Sequence, residues 1–338
     1  MRRKKMKKIV TLLLVLSILA AFGLAGCQPK QEAKEEGTRI GVSIMELTAY
    51  TWYLGVIDGC NQWAKEHPDA KITFQFEDSK SDVSTMLNNI DNLITAGAKG
   101  IILFPADASS AIPVMKQYTE KGIPFVIGDY AQQPNSPADV VWKTFIGHDM
   151  KALGEVAGKV AVDYLKTLGK EDPVCLFISR PQSGQVSKDR LDGFTNVIKA
   201  SFPKARIIEE GDNANNRASA QDLMENILQR EKVIDVVSGH NDAAVIGAYN
   251  GAVSQNRPNI KFVGIAGDKD VLTYIANGNP AWIGEVLQDP TTLGHTAMEA
   301  MWQSLQGKTL PPVFDLPQPE AITPANIKSY DWQNWSWL

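Results

Sequence analysis

The residues best suited to chemistry crowd into one short elbow. Glu46, Tyr50, Trp52 and Tyr53 lie within eight residues. Before them Ile40, Val42 and Ile44 are apolar at strand spacing; after them Tyr53, Val56, Ile57, Cys60 and Trp63 recur at helical spacing. An elbow at the end of a parallel strand faces a ligand crevice, and rings beside hydrogen-bonding groups are the equipment of reversible binding. Other polar side chains close elements further on: Asp129 after the apolar run Phe125 to Ile127, Asn241 after Val233 to Ser238, and Gln288 after Ala281 to Leu287. Nothing marks a covalent catalyst. No G-x-S-x-G elbow, Walker loop or H-E-x-x-H occurs, and His67, His148, His240 and His295 are scattered without metal-ligand spacing. His148 and His240 fall near strand ends and read as ordinary polar loop residues, a place beside the cleft being the other reading. Asp212 to Asn216 lacks the glycine and terminal glutamate of a calcium loop. No metal and no cofactor is expected.

The elements that position these residues alternate. Strands are expected near Lys71 to Phe76, Gly100 to Phe104 and Phe125 to Ile127, with helices at Val83 to Ala96 and Ala111 to Lys121 between them. A Pro-, Asn- and Ser-rich stretch, Gln132 to Val140, interrupts the rhythm. It resumes with a helix at Leu153 to Leu168 and strand Val174 to Ile178, then helix Lys188 to Ala200, strand Arg206 to Glu210, helix Ser219 to Gln229, strand Val233 to Ser238, helix Ala243 to Ser254 and strand Phe262 to Ile265. One more helix follows Asp270, then strand Ala281 to Leu287, helix Leu293 to Leu305 and a Pro-rich exit. The stretch ending in IILFPAD at Asp107 and the one ending in DVVSGHND at Asp242 share order and spacing across 135 residues. The fold class is therefore α/β: two similar lobes, each a parallel sheet flanked by helices, with a ligand between them. The tail DWQNWSWL is expected to pack its tryptophans against a lobe.

The N-terminus obeys other rules. Six positive side chains in the first eight residues precede a fourteen-residue apolar or small-residue run, Ile9 to Phe22, too short for a comfortable membrane span. Leu24-Ala25-Gly26-Cys27 resembles the bacterial lipobox, which implies cleavage before Cys27 and a lipid on its thiol. Residues 1–26 are the expected leader and 27–37 a flexible tether. Without the leader the chain keeps 28 basic against 38 acidic side chains, so no nucleic-acid partner is expected. Of the two further cysteines, Cys60 and Cys175, a disulfide is open, but buried free thiols on separate lobes fit their apolar settings better.

Asp58-Gly59 after the elbow, Pro105-Ala106-Asp107, Gly128-Asp129, Arg190-Leu191-Asp192-Gly193-Phe194, Asn241-Asp242, Val263-Gly264-Ile265-Ala266-Gly267 and Gln288 before Asp289-Pro290 occur in an order that resembles the type I periplasmic binding proteins. The resemblance is to the ribose- and galactose-like sugar-binding subunits of ABC importers, from about Arg39 to Pro319. It implies lobes of residues 38–148 with 289–315 and 149–288 with 316–338, joined by a three-strand hinge. It also implies a monomeric, lipid-anchored receptor on the outer face of the cell membrane, not an enzyme. That receptor would close on a sugar or polyol and deliver it to a membrane permease.

In such a site Trp52 and Tyr53 would supply rings, one of them packing in the core as the other reading; Tyr50 would add a polar neighbour. Asp129 would accept hydroxyl protons, unless it only caps a turn. Arg190 would offer its planar fork, the alternative being a surface ion pair to Asp189 or Asp192. Asn241 and Gln288 would each give a donor and an acceptor in a plane, or tie turn backbone together. Three positions depart from the pattern: Glu46 stands for a small polar residue, Tyr130 for an arginine and Ala266 for an aspartate that Asp268 would replace. The pocket is thus expected to set two or three carboxylates against one arginine. A same-fold receptor coupled to a sensor and, further off, an exported hydrolase are the alternative functions.

Overall fold

The computed structural model describes residues 37–48, 51–129, 140–211, 214, 216–314 and 316–338. The leader, most of the tether, Cys27, Tyr50, Tyr130, most of the Gln132 to Val140 stretch and most of the Asp212 loop lie outside them.

Alternation of apolar strands with amphipathic helices builds two sheets. The first takes β1 (Thr38–Ile44), β2 (Ile72–Asp78), β3 (Gly100–Leu103), β4 (Phe125–Gly128) and β5 (Thr144–Ile146) in the order β2-β1-β3-β4-β5, all parallel. The second takes β6 (Val174–Ile178), β7 (Arg206–Glu210), β8 (Val236–Gly239), β9 (Lys261–Ala266), β10 (Trp282–Leu287) and β11 (Glu320–Ile322) in the order β11-β10-β9-β8-β6-β7. Only the β10–β11 pair is antiparallel. Leaving β11 aside, the two orders are the same. Each sheet reverses direction once, between β1 and β3 and between β6 and β8, which are the places where parallel sheets open a ligand crevice. Strands β3, β4 and β8 are buried throughout because helices cover both faces.

The helices are α1 (Trp52–Glu66), α2 (Val83–Thr95), α3 (Ala108–Thr119), α4 (Met150–Lys166), α5 (Gln185–Ser201), α6 (Arg217–Arg230), α7 (Asp242–Ser254), α8 (Lys269–Ala276) and α9 (Pro290–Leu305). Most begin on an Asp or Asn whose side chain accepts from the first-turn amides, as with Asp107, Asp149, Asn241 and Asp289. Among the described helices α1 and α5 alone start without a side-chain cap, and these follow the two switch-point strands. In the first lobe one core lies under α1 and α9 and the other under α2 and α3. In the second, α4 and α5 cover one face and α6, α7, α8 and the C-terminal tail the other.

The chain crosses between sheets at 147–149, from β5 into α4, and at 288–289, from β10 into α9; a third passage leads from Phe314, which donates its N–H to Phe145 O, towards β11. Three-residue β5 and β11 show no period in the sequence and appear only because neighbours pair with them. Trp332 and Trp337 are buried, Trp335 stacks on Trp337 at 5.0 Å, and the tail packs as expected. Cys60 and Cys175 are both buried free thiols, each pushed up to about 12 by burial.

Helices α1 and α9 meet through reciprocal glycines. A Cβ on Gly59 would stand 2.0 Å from Thr291 O, and one on Gly294 would stand 2.0 Å from Val56 O. Gly294→Ala is therefore expected to cost about 1–3 kcal/mol through overpacking, read as a lower urea midpoint at unchanged slope.

Candidate functional site

The first lobe builds one wall of the crevice from α1 and the end of β4. Trp52 opens α1 and donates from Nε1 to Gln288 O at 2.8 Å, which ties the ring to a crossing strand. Its neighbour Tyr53 stands edge-on at 5.2 Å. The Tyr53 ring is 3% exposed and packs on Phe104, so it belongs to the core; only its hydroxyl reaches out, donating to Asp129 Oδ2 at 2.6 Å. Asp129 is held in left-handed backbone (φ 67°), a conformation that Asp accepts better than most side chains, and its N–H donates to Ile146 O at 2.8 Å. Burial raises its carboxyl above the usual range, while the Tyr53 bond and the Arg190 charge pull it back.

The second lobe supplies a buried cation. Arg190, on α5, is 4% exposed and donates to His240 O, to Gln288 Oε1 at 2.8 Å and to Met150 Sδ at 3.2 Å. A surface ion pair is excluded: Asp189 accepts from Gln185 and Asp192 from Lys188. The guanidinium instead joins α5, the end of β8 and a crossing strand. Close helix contact sets its place, since a Cβ on Gly154 of α4 would stand 2.0 Å from Arg190 O.

Residues treated as plain loop turn out to face this group. His148 lies 6.4 Å from the Trp52 ring and is pushed down to about 4 by burial and the Arg190 charge. His240 follows β8 directly; burial, then Arg190 and Arg180, push it down to about 3, so both rings stay neutral. Ser183 Oγ approaches His240 Nε2 at 3.4 Å. Arg180, at the end of β6, has a buried Nε with no partner among the described residues. In the sequence Arg180 and Ser183 sit in a Pro- and Gly-containing stretch that carries no period; their only signal is their place after the switch-point strand.

The remaining expected site residues divide. Asn241 uses Oδ1 to cap α7, accepting from Ala244 N–H at 3.1 Å. Asp268 caps α8 and ion-pairs with Arg217 at 2.9 Å; Trp52, Asn241, Ala266, Asp268 and Trp337 share a cavity of about 470 Å³. Glu46 Oε1 accepts from Thr48 N–H at 2.9 Å within its own turn. The expected balance of several carboxylates against one arginine is thereby corrected. Arg217 takes up Asp268 and Asp270, and Arg180 adds a third guanidinium beside the cleft. No group of His, Cys, Asp and Glu that could hold a metal ion occurs among the described residues, and no described helix is long and apolar enough to cross a membrane.

Paired lobes with polar groups meeting at their switch points are matched by the model of the periplasmic binding protein domain over residues 40–309. The chain belongs to this periplasmic binding protein family. It is 26% identical over 320 residues to the ribose import binding protein of Bacillus subtilis, covering 92% of this chain and 98% of that one. The xylitol-binding protein of Mycolicibacterium smegmatis is 27% identical over 312 residues, or 90% and 83% of the two chains. An ABC transporter solute-binding protein of Mycobacterium smegmatis, solved with glycerol bound, superposes with a TM-score of 0.70 at 25% identity, covering 87% of this periplasmic binding protein and 96% of that chain.

Tyr53→Phe removes a bond that favours the ionised form of Asp129. The Asp129 carboxyl of the variant is expected to titrate at higher pH than in the parent protein, as followed by carboxyl ¹³C NMR; an unmoved titration would show that the hydroxyl does not steer this group.

Proposed function

We propose that this protein captures a small sugar or polyol between its lobes and hands it to the permease of an ABC importer. One observation carries the reading: a Tyr-steadied carboxylate, Asp129, and a buried guanidinium, Arg190, approach from opposite lobes beside the Trp52 ring. Sugar hydroxyls need an acceptor and a planar donor, and the C–H face needs a ring. Neutral His148 and His240 add hydrogen-bonding atoms without charge. The relatives support the ligand class, since by their names they bind ribose and xylitol and the solved one holds glycerol. Binding requires no covalent step, so the protein works as a receptor and not as an enzyme.

Residues 38–148 with 289–315 would move against 149–288 with 316–338, closing over the ligand by bending at the three crossings. Ligand bridging Asp129 and Arg190 favours the closed form because only that form makes both contacts. The N-terminal charge, the fourteen-residue apolar run and Leu24-Ala25-Gly26-Cys27 support export and lipid attachment at Cys27, which would keep a monomeric receptor beside its permease. A single acyl signal holds a protein at a membrane only reversibly, so the diacyl group of a lipoprotein suits this task.

Calorimetric titration with ribose, xylitol, glycerol and myo-inositol tests the site. Asp129→Asn and Arg190→Lys are each expected to weaken the best ligand about 10- to 100-fold, matching charge-assisted bonds of ~1.5–3 kcal/mol, with circular dichroism unchanged; full affinity in both variants would refute this site. In a bacterial host, Cys27→Ala is expected to abolish incorporation of labelled palmitate and to release the protein from membranes; undiminished labelling would place the lipid elsewhere.

A further inference from the structure

Two buried carboxyl side chains lie directly behind the ligand face of the second lobe. Asp242, the first residue of α7, is 2% exposed, and Glu285, in the middle of β10, is fully buried. Between them they grip one turn. Asp242 Oδ2 accepts from Gly267 N–H at 3.0 Å and Asp268 N–H at 2.7 Å; Glu285 Oε1 accepts from Ala266 N–H at 2.8 Å and Gly267 N–H at 2.6 Å. The other two oxygens, Asp242 Oδ1 and Glu285 Oε2, have no partner outside the pair among the described residues. Both crowd Gly264, where a Cβ would stand 2.5 Å from the first and 1.9 Å from the second. Two carboxyl oxygens converging on one point in so dry a place would repel strongly as bare carboxylates, whereas a proton on one lets it donate to the other.

We propose that Asp242 and Glu285 are positioning residues that share one proton and thereby hold the loop Ala266–Asp268 against the ligand, so that loss of this proton at alkaline pH loosens the loop and weakens capture. The proposal rests on the reading of the cleft as the sugar or polyol site and takes the cavity lined by Trp52, Asn241, Ala266 and Asp268 as its continuation past the Trp52 ring.

The charges around the pair do not supply another counterion. Asp268 on the loop and Asp270 on α8 are both engaged by Arg217 of α6, and Lys269 is exposed. On the flanking strands, Gly264 of β9 and Ile322 of β11 face Glu285, and α4 covers the opposite side of β10 through Val160. His240, two residues before Asp242, is held neutral. Burial, reinforced by the neighbouring carboxylates, pushes Asp242 up to about 6 and Glu285 well above its usual value. The sign follows: the folded protein keeps a proton that the unfolded chain releases near pH 4, so this contribution falls as pH rises through the raised folded values.

The test uses the mature chain with Glu285→Gln and Asp242→Asn, in which an amide donates permanently to the remaining carboxylate while its oxygen still accepts from the loop. Amide hydrogen exchange of ligand-free protein, corrected for intrinsic rates, is followed from pH 6 to 9, beside calorimetry with xylitol and ribose over the same range. Protection of Gly267 and Asp268, and affinity with it, is expected to fall about tenfold in the parent protein and to stay flat in at least one folded variant. Flat protection in the parent, variants that follow its decline, or an affinity indifferent to that decline would each overturn the proposal. Absence of binding to either probe at pH 6 would overturn the reading of the cleft instead, and the protection profile would still decide the shared proton.

Discussion

The site depends on a positive charge kept out of water. A buried guanidinium is costly unless all of its geometry is met, and Arg190 donates to His240 O, Gln288 Oε1 and Met150 Sδ. Its charge is felt in the space in front of it. There it adds to the burial that keeps His148 and His240 neutral, and draws the Asp129 carboxyl down against the burial that raises it. The same three bonds fasten α5 to the end of β8 and to a crossing strand, so the electrostatics of the cleft and the joint between lobes rest on one side chain. Gly154 makes this possible by letting α4 approach the Arg190 carbonyl.

The two lobes repeat one topology but are finished differently. Uncapped α1 has no first-turn acid; instead Thr51 donates its hydroxyl to Trp337 O at 3.1 Å. The Trp337 ring lies against Gly55 of α1 and against Gly267 of the second lobe, where Cβ atoms would stand 2.6 and 2.8 Å from it. The end of the chain thus touches both sides of the crevice beside the crossing at Gln288. Any relative motion of the lobes has to shear or carry this contact, and flat ring against glycine is a surface that slides without unlocking interdigitated side chains.

Much of this was legible in the sequence, and for identifiable reasons. Long strands and helices announced themselves through period, and an Asp at the end of an apolar run, Asp129, through topology. Tyr53 shows the limit: the sequence left it between the core and the ligand, and the structure buries it with its hydroxyl bonded to Asp129. Arg180 and Ser183 were illegible because loop residues carry no period and acquire meaning only when the chain leaving β6 meets the chain leaving β8 at His240. Asn241 and Asp268 were legible as polar strand-end residues, but their capping of α7 and α8 depends on backbone amides that spacing does not reveal. Glu285 was the clearest overlooked sign. A lone acid in the apolar run Trp282–Leu287, in a strand with neighbours on both sides, must be neutral or partnered.

These placements bear on what the cleft can accept. With Asp268 and Asp270 both engaged by Arg217, Glu46 bonded within its own turn, and Asp242 and Glu285 turned beneath the loop, these acids are already engaged by the protein. What faces the cleft is one carboxylate opposed to Arg190, with Arg180, neutral imidazoles and an indole beside them. On the proposed reading no acid there is left over for a cationic ligand. A cationic ligand would have to leave water without gaining a free counterion, whereas a neutral polyol loses only hydrogen bonds that the cleft can return. The ion pairs of the second lobe thus favour a neutral, hydroxyl-rich ligand over a cationic one.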